Sequence, residues 1–241
     1  MTVAQGFSST TDIGTIYPSF VMHKVWDTPE GFNESLYDIA KVDAIENRIQ
    51  DPNDSKNIGT HEIHLGHIRH NFLADYSDKE PIKILTEMVD TACREYLLQV
   101  YHYEHTGKLN MMSDTFWQRR SHHENVGINA HTHIKCDLVV TYYPKIHLDE
   151  NATGALHKGA FRAYDPSNYG KRFWPTNNPT YYIGGWYQVE PVEGSMIILE
   201  GYVPHDSTYF SGDERMCIPI LVDVDTPKKH MKVDSDVIIR S

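Results

Sequence analysis

Apolar positions change their period along the chain. Over residues 82–101, IKILTEMVDTACREYLLQVY, the positions Ile82, Leu85, Val89, Ala92 and Tyr96 recur at intervals of three and four, the stripe of an amphipathic helix. Ser77 with Glu80 reads as a capping box ahead of it, and Pro81 suits its first turn. A second helix is predicted over Leu36–Gln50, capped by Asn33, with Leu36, Ile39, Ile45 and Ile49 roughly on one side. Residues 1–30 read as an irregular arm with one short strand, YPSFVMHKVWD. From Asp114 onward the texture becomes short β-rich runs between glycine, asparagine and proline loops. These runs are DTFWQRRSH, HTHIKCDLVVTYYP, AFRAYD, YYIGGWYQVEP, SMIILEGYV and ERMCIPILVDV. Such spacing predicts a sandwich or barrel rather than parallel βαβ units. The expected fold is mostly β with flanking helices (α+β): N-terminal helices buttress a double-sheet jelly roll. No linker divides the chain, so residues 1–241 are expected to form one domain. Its arm and helices occupy 1–113, the strand core 114–224 and a tail 225–241.

Composition narrows the partners. A chain of 241 residues suits one large domain. The net charge is −11 and the pI is about 5.7, without a basic block, which argues against nucleic acid. No apolar run approaches the roughly 18 residues of a membrane span, so no membrane partner is expected. The start, MTVAQGFSSTTDIGT, lacks the charged and apolar regions of a secretory signal. Cys93, Cys136 and Cys217 are far apart and odd in number, which fits a reducing cytoplasmic setting. A homodimer is left open.

Fifteen histidines make one His-x-His pair unremarkable by itself, so its weight comes from its surroundings. His61, His64, His67 and His70 stand at every third position, which holds no single helix or strand face. They read as solvent-facing or hydrogen-bonded. His131 and His133 differ, because residues i and i+2 of an extended strand point the same way. His205 follows Val203–Pro204, where a hairpin end can bring it opposite the pair. Three facial imidazoles leave open positions on an octahedral metal. Ten residues on, Arg215 offers a permanently charged fork for a carboxylate, and the Tyr143 hydroxyl can share that carboxylate. The plain alternative is that each histidine satisfies a local hydrogen bond and Arg215 lies on the surface. Pro219 inside the last run predicts an edge or a bulge. The aromatic stretch Tyr164–Trp186 reads as a substrate-facing loop.

The order of these elements resembles the 2-oxoglutarate- and Fe(II)-dependent oxygenases, and within them a prolyl-hydroxylase-like branch with a His-x-His motif. The matching residues are Trp117; His131 and His133; Tyr142 and Tyr143; Gly154 with Asp165–Pro166; Pro191 and Gly194; His205; and Arg215. The likeness covers about residues 114–224 and nothing diagnostic before them. It implies a double-stranded β-helix (cupin-like jelly roll) with His131 and His205 as iron ligands. Tyr143 and Arg215 would hold the distal carboxylate of 2-oxoglutarate. The reaction it implies is hydroxylation of a small-molecule or protein side-chain substrate, coupled to decarboxylation of 2-oxoglutarate to succinate. One position departs from the wider superfamily: His133 stands where a carboxylate is usual, with Asp137 or water as alternative ligands. That departure keeps two rivals in view, a cupin-like three-histidine metalloenzyme that does not use 2-oxoglutarate and a non-enzymatic jelly-roll binding module.

Overall fold

The long amphipathic stripe folds as predicted into α3 (Glu80–Tyr101), which buries Ile82, Leu85, Val89, Ala92 and Tyr96. Pro81 sits in its first turn, where its missing N–H leaves no bond unmade. The predicted capping box does not form. The cap position is Lys79, with no side-chain bond to the helix end, so Ser77 lies too far upstream. The first helix, α1 (Phe32–Glu46), starts earlier than expected. It follows Gly31, whose φ of 74° favours glycine. Asn33 is therefore inside α1, where its Oδ1 accepts the Tyr142 hydroxyl at 2.5 Å. The computed structural model describes residues 19–46, 71–119, 128–133, 135–148, 158–164, 166, 186–210 and 212–225. The His61–His70 run, Gly154, Asp165 and most of the Tyr164–Trp186 stretch lie outside the described residues.

A short helix, α2 (Phe72–Asp75), precedes α3. The strands are β1 (Val21–Val25), β2 (Leu109–Ser113), β3 (Phe116–Arg119), β4 (Ile128–His131) and β5 (Leu138–Leu148). They continue with β6 (Phe161–Tyr164), β7 (Trp186–Val189), β8 (Ser195–Glu200), β9 (His205–Ser207) and β10 (Gly212–Val224). Two antiparallel sheets result. The larger has the order β1-β8-β5-β10-β2, with β3 also on β10, and the smaller has the order β4-β9-β6-β7. From β3 to β10 the chain passes back and forth between the sheets, the winding of a double-stranded β-helix. β1 and β2 precede Asp114 and extend the larger sheet at both edges.

Burial explains why β5 and β8 read as continuous apolar runs rather than alternating ones: both faces of the larger sheet are covered. Leu138, Val140, Tyr142, Met196, Ile198, Ile218 and Ile220 pack on the helix side with Leu36 and Leu85. Val139, Tyr143, Ile197, Leu199 and Cys217 face the space between the sheets, with Phe161 and Ala163 of β6 opposite. Truncating Leu85 or Ile198 to alanine, both wholly buried, would cost about 2–5 kcal/mol. Pro219 is not on an edge strand. It sits where β10 passes from β3, paired through Cys217, to β2, paired from Ile220. A ladder N–H is not needed on that side, while the Pro219 carbonyl accepts from Asp114 N at 3.1 Å. Register shifts against β5 lie on either side of Arg215, between Gly212 and Glu214 and between Met216 and Ile218. Among the described residues no helix is long and apolar enough to cross a membrane.

Candidate metal and carboxylate site

The smaller sheet brings the histidines together. His131 ends β4 and pairs with His205, the first residue of β9. His133 lies just past the strand, where its N–H donates to Gly201 O at 2.7 Å. One ligand atom from each of the three rings falls within 4.8 Å of the others. Ring centroids are 4.4 Å apart for His131–His205, 4.9 Å for His131–His133 and 5.2 Å for His133–His205.

Hydrogen bonds select the free nitrogen. His131 Nδ1 lies 2.8 Å from Asn129 O, and His205 Nδ1 lies 3.0 Å from Val203 O. A carbonyl only accepts, so each Nδ1 carries the proton and each Nε2 keeps its lone pair, as a metal ligand must. Burial foremost, with the adjacent His131 and His133 adding and the Val203 carbonyl opposing, lowers the His205 pKa to about 3. His205 is thus neutral in ordinary conditions, the form that binds a cation.

The smaller sheet holds His205 on both faces. Inside, Phe161 stacks on its ring at 5.3 Å. Outside, the next residue, Asp206, receives Arg162 Nε and Nη2, both at 2.7 Å, and the Tyr164 hydroxyl at 2.5 Å. This fork clamps β9 to β6, where Ala163 pairs with His205. Asp206 points away from the imidazoles, and Asp137 is no nearer as a ligand. Its Oδ2 accepts from Val224 N at 2.7 Å, and it is not in the histidine group.

Arg215 lies deeper between the sheets and is 1% exposed, so it is no surface residue. Its Nη1 donates to Gly159 O at 2.8 Å and its Nη2 reaches Ser207 Oγ at 3.4 Å, while Nε is buried without a partner. Ser207 follows His205 by two residues on the same face of β9, about 7 Å along the strand, so the arginine's Nη2 reaches the next inward position of the strand that carries His205. Among the described residues no carboxylate pairs with Arg215. Gly159 is required for two reasons: its φ is 64°, and a Cβ there would clash with Arg215 Nη1. Tyr143 is buried in the same space. Burial raises its pKa, with Cys217 adding and the Arg215 charge opposing. Beside it on β3, Gln118 is paired with Arg215 in register and buried, whereas Trp117 faces the helices.

The expected metal ligands and the expected carboxylate pair therefore line one interior. The reading of the sequence missed Gly159, Ser207, Gln118 and the Arg162–Asp206–Tyr164 clamp. A glycine between Lys158 and Ala160 just before β6 was the one local hint. Tyr164, the last residue of β6, lies next to His205, since its N–H donates to Pro204 O at 2.8 Å.

No protein-family model matches the chain, and no curated protein matches it by sequence. Solved structures do match. The non-heme alpha ketoglutarate dependent epimerase SnoN from nogalamycin biosynthesis gives a TM-score of 0.52 at 13% identity, over 84% of this chain and 76% of that one. AviO1 from Streptomyces viridochromogenes Tue57 gives 0.50 at 15% identity, over 87% and 92% respectively. At such identities the likeness is one of fold. The chain shares a double-stranded β-helix with these structures, with antiparallel sheets and a His131–His133–His205 group between them.

Proposed function

We propose that this chain is an Fe(II)- and 2-oxoglutarate-dependent oxygenase that hydroxylates a small-molecule or protein side-chain substrate. One juxtaposition carries the reading: three converging imidazoles lie beside a buried guanidinium that reaches Ser207, two residues along β9 from His205, and that no carboxylate among the described residues neutralises. The residues present fit both groups. His131, His133 and His205 would hold the metal through nitrogen, a donor that suits iron, and leave positions open on one side. Arg215, helped by Tyr143 and Ser207, would hold the distal carboxylate of 2-oxoglutarate, and its orphaned Nε and under-used Nη2 supply the donors. When bound there, iron with 2-oxoglutarate supplies oxidative decarboxylation and delivery of one oxygen atom to a substrate C–H bond. The chain's own residues orient and keep dry. The Arg162–Asp206 clamp fixes β9 and hence the His205 ring, and Phe161, Val203 and Leu199 exclude water from the interior.

The all-imidazole donor set also favours a second reading, a three-histidine metalloenzyme that does not use 2-oxoglutarate. One experiment separates the two. The anaerobically iron-loaded chain is exposed to dioxygen with 2-oxoglutarate, and succinate is measured. Arg215-dependent succinate supports the oxygenase. Iron that binds stoichiometrically without any 2-oxoglutarate affinity leaves the second reading standing.

A further inference from the structure

A second cavity, of about 590 Å³, lies on the other face of the larger sheet from the histidines. Its position follows from register. Glu200 pairs with Leu138, and both point to the helix side like Val140 and Ile198. The wall opposite is the C-terminal end of α3, with Leu97 and Tyr101, followed by Tyr103. That volume is within the usual range of small-molecule pockets.

Four observations agree on the occupant's charge. Glu200 lines the cavity and is 3% exposed; its Oε1 accepts the Tyr101 hydroxyl at 2.6 Å, but its Oε2 is buried with no hydrogen bond. A buried carboxylate oxygen without a donor is costly and is relieved by a cation. Asp137 adds a second carboxylate, and among the described residues no basic side chain lines the cavity. Tyr101, Tyr103 and Tyr202 supply aromatic walls, which attract cations through their ring faces. Lastly, α3 ends here with no basic residue of its own in the last turn to offset its partial negative end.

We infer that this cavity binds a primary alkylammonium group, its head on Glu200 Oε2 and its carbon stem along Leu97 and Leu138. Only one Glu200 oxygen is available, which suits a point-like ammonium better than a two-pronged guanidinium. The group can arrive on a free amine or on a lysine side chain. This inference is independent of the metal and of the proposed oxygenase activity.

The test is calorimetric titration of butylammonium chloride into the full metal-free chain at fixed ionic strength. Butan-1-ol serves as the neutral isostere, and N-acetyl-lysine N-methylamide as the side-chain form. Saturable binding of butylammonium, with none of butanol at the same concentrations, is expected. Glu200→Gln keeps an acceptor for the Tyr101 hydroxyl and should weaken binding at least tenfold. At the rim, Tyr202 is 41% exposed, so Tyr202→Leu should fold normally and weaken binding about twofold to fivefold. Should Glu200→Gln fail to fold, Tyr202→Leu and the butanol comparison decide. Blocked lysine binding as well as butylammonium assigns the group to a polypeptide side chain, and its rejection assigns it to a free amine. The inference is overturned if butanol binds equally, if either folded variant binds butylammonium as the parent does, or if no binding is seen below about 10 mM.

Discussion

Replacing Arg215 with methionine separates a functional charge from a structural one. The guanidinium is 1% exposed and has no anionic partner among the described residues. Exchanging buried ionic groups for apolar ones of similar length is neutral or stabilises by about 1–4 kcal/mol. Against that, the Gly159 carbonyl loses its donor, which costs about 1–3 kcal/mol. The two ranges overlap, so the ligand-free variant should unfold within about 3 kcal/mol of the parent. Ligand affinity should behave differently. Removing one partner of a desolvated, hydrogen-bonded charge pair costs about 2–5 kcal/mol, roughly a 30-fold to several-thousand-fold weaker affinity for 2-oxoglutarate. Urea unfolding without ligand measures the first quantity, and anaerobic titration of 2-oxoglutarate into the metal-loaded chain measures the second. With 2-oxoglutarate at a hundred times its dissociation constant, the parent should also gain about 2.7 kcal/mol of stability, which the variant forfeits. A ligand-free loss above about 4 kcal/mol would make Arg215 a structural pillar. Unchanged affinity would place the carboxylate elsewhere.

Three other outcomes are expected. His131→Ala and His205→Ala should each abolish stoichiometric iron binding while circular dichroism stays native, and His133→Ala should weaken it; full iron content in the first two would dismiss the triad. Gly159→Ala places a methyl against Arg215 Nη1 at a φ of 64°, so it should cost about 1–3 kcal/mol in urea unfolding and lower 2-oxoglutarate affinity, whereas a silent variant would mean that the arginine moves freely. Asp206→Asn breaks a fork whose two side chains are 22% and 8% exposed; about 1–3 kcal/mol of stability and a measurable share of iron affinity should be lost, and unchanged iron affinity would show that the clamp does not position His205.

Legibility in the sequence followed locality. α3 was visible because its stripe repeats over about four turns of helix, and β5 and β8 because both their faces are buried. The histidines were visible because two share a strand period and the third follows a strand. What stayed hidden depends on partners far along the chain. β9 is three residues long and exists because β4 and β6 flank it. β2, LNMMS, has no alternating pattern and is held by the end of β10. The capping box failed because a matching tetrapeptide does not determine which residue takes the cap position. Arg162 and Asp206 are 44 positions apart, so no local window relates them.

The imidazole at position 133 changes the electrostatics of the interior more than its shape. The two carboxylates nearest in sequence to the ligands are committed elsewhere, Asp137 to Val224 N and Asp206 to Arg162 and Tyr164. Recruiting either would break a bond at 2.7 Å or shorter. On the proposed reading, a divalent ion held by three neutral rings would keep its whole charge, and Arg215, which reaches Ser207 two residues along β9 from His205, would add another. At an effective dielectric constant near 20, like unit charges about 7–10 Å apart repel by about 2 kcal/mol, and a doubly charged partner doubles that. A carboxylate from the protein would relieve part of that repulsion permanently. Among the described residues none does so, and on the proposed reading the relief would come from a ligand that carries negative charge at both ends and spans the two positions. On that reading the histidine that departs from the usual pattern would make a dicarboxylate more necessary to the site and would couple its binding to that of the metal.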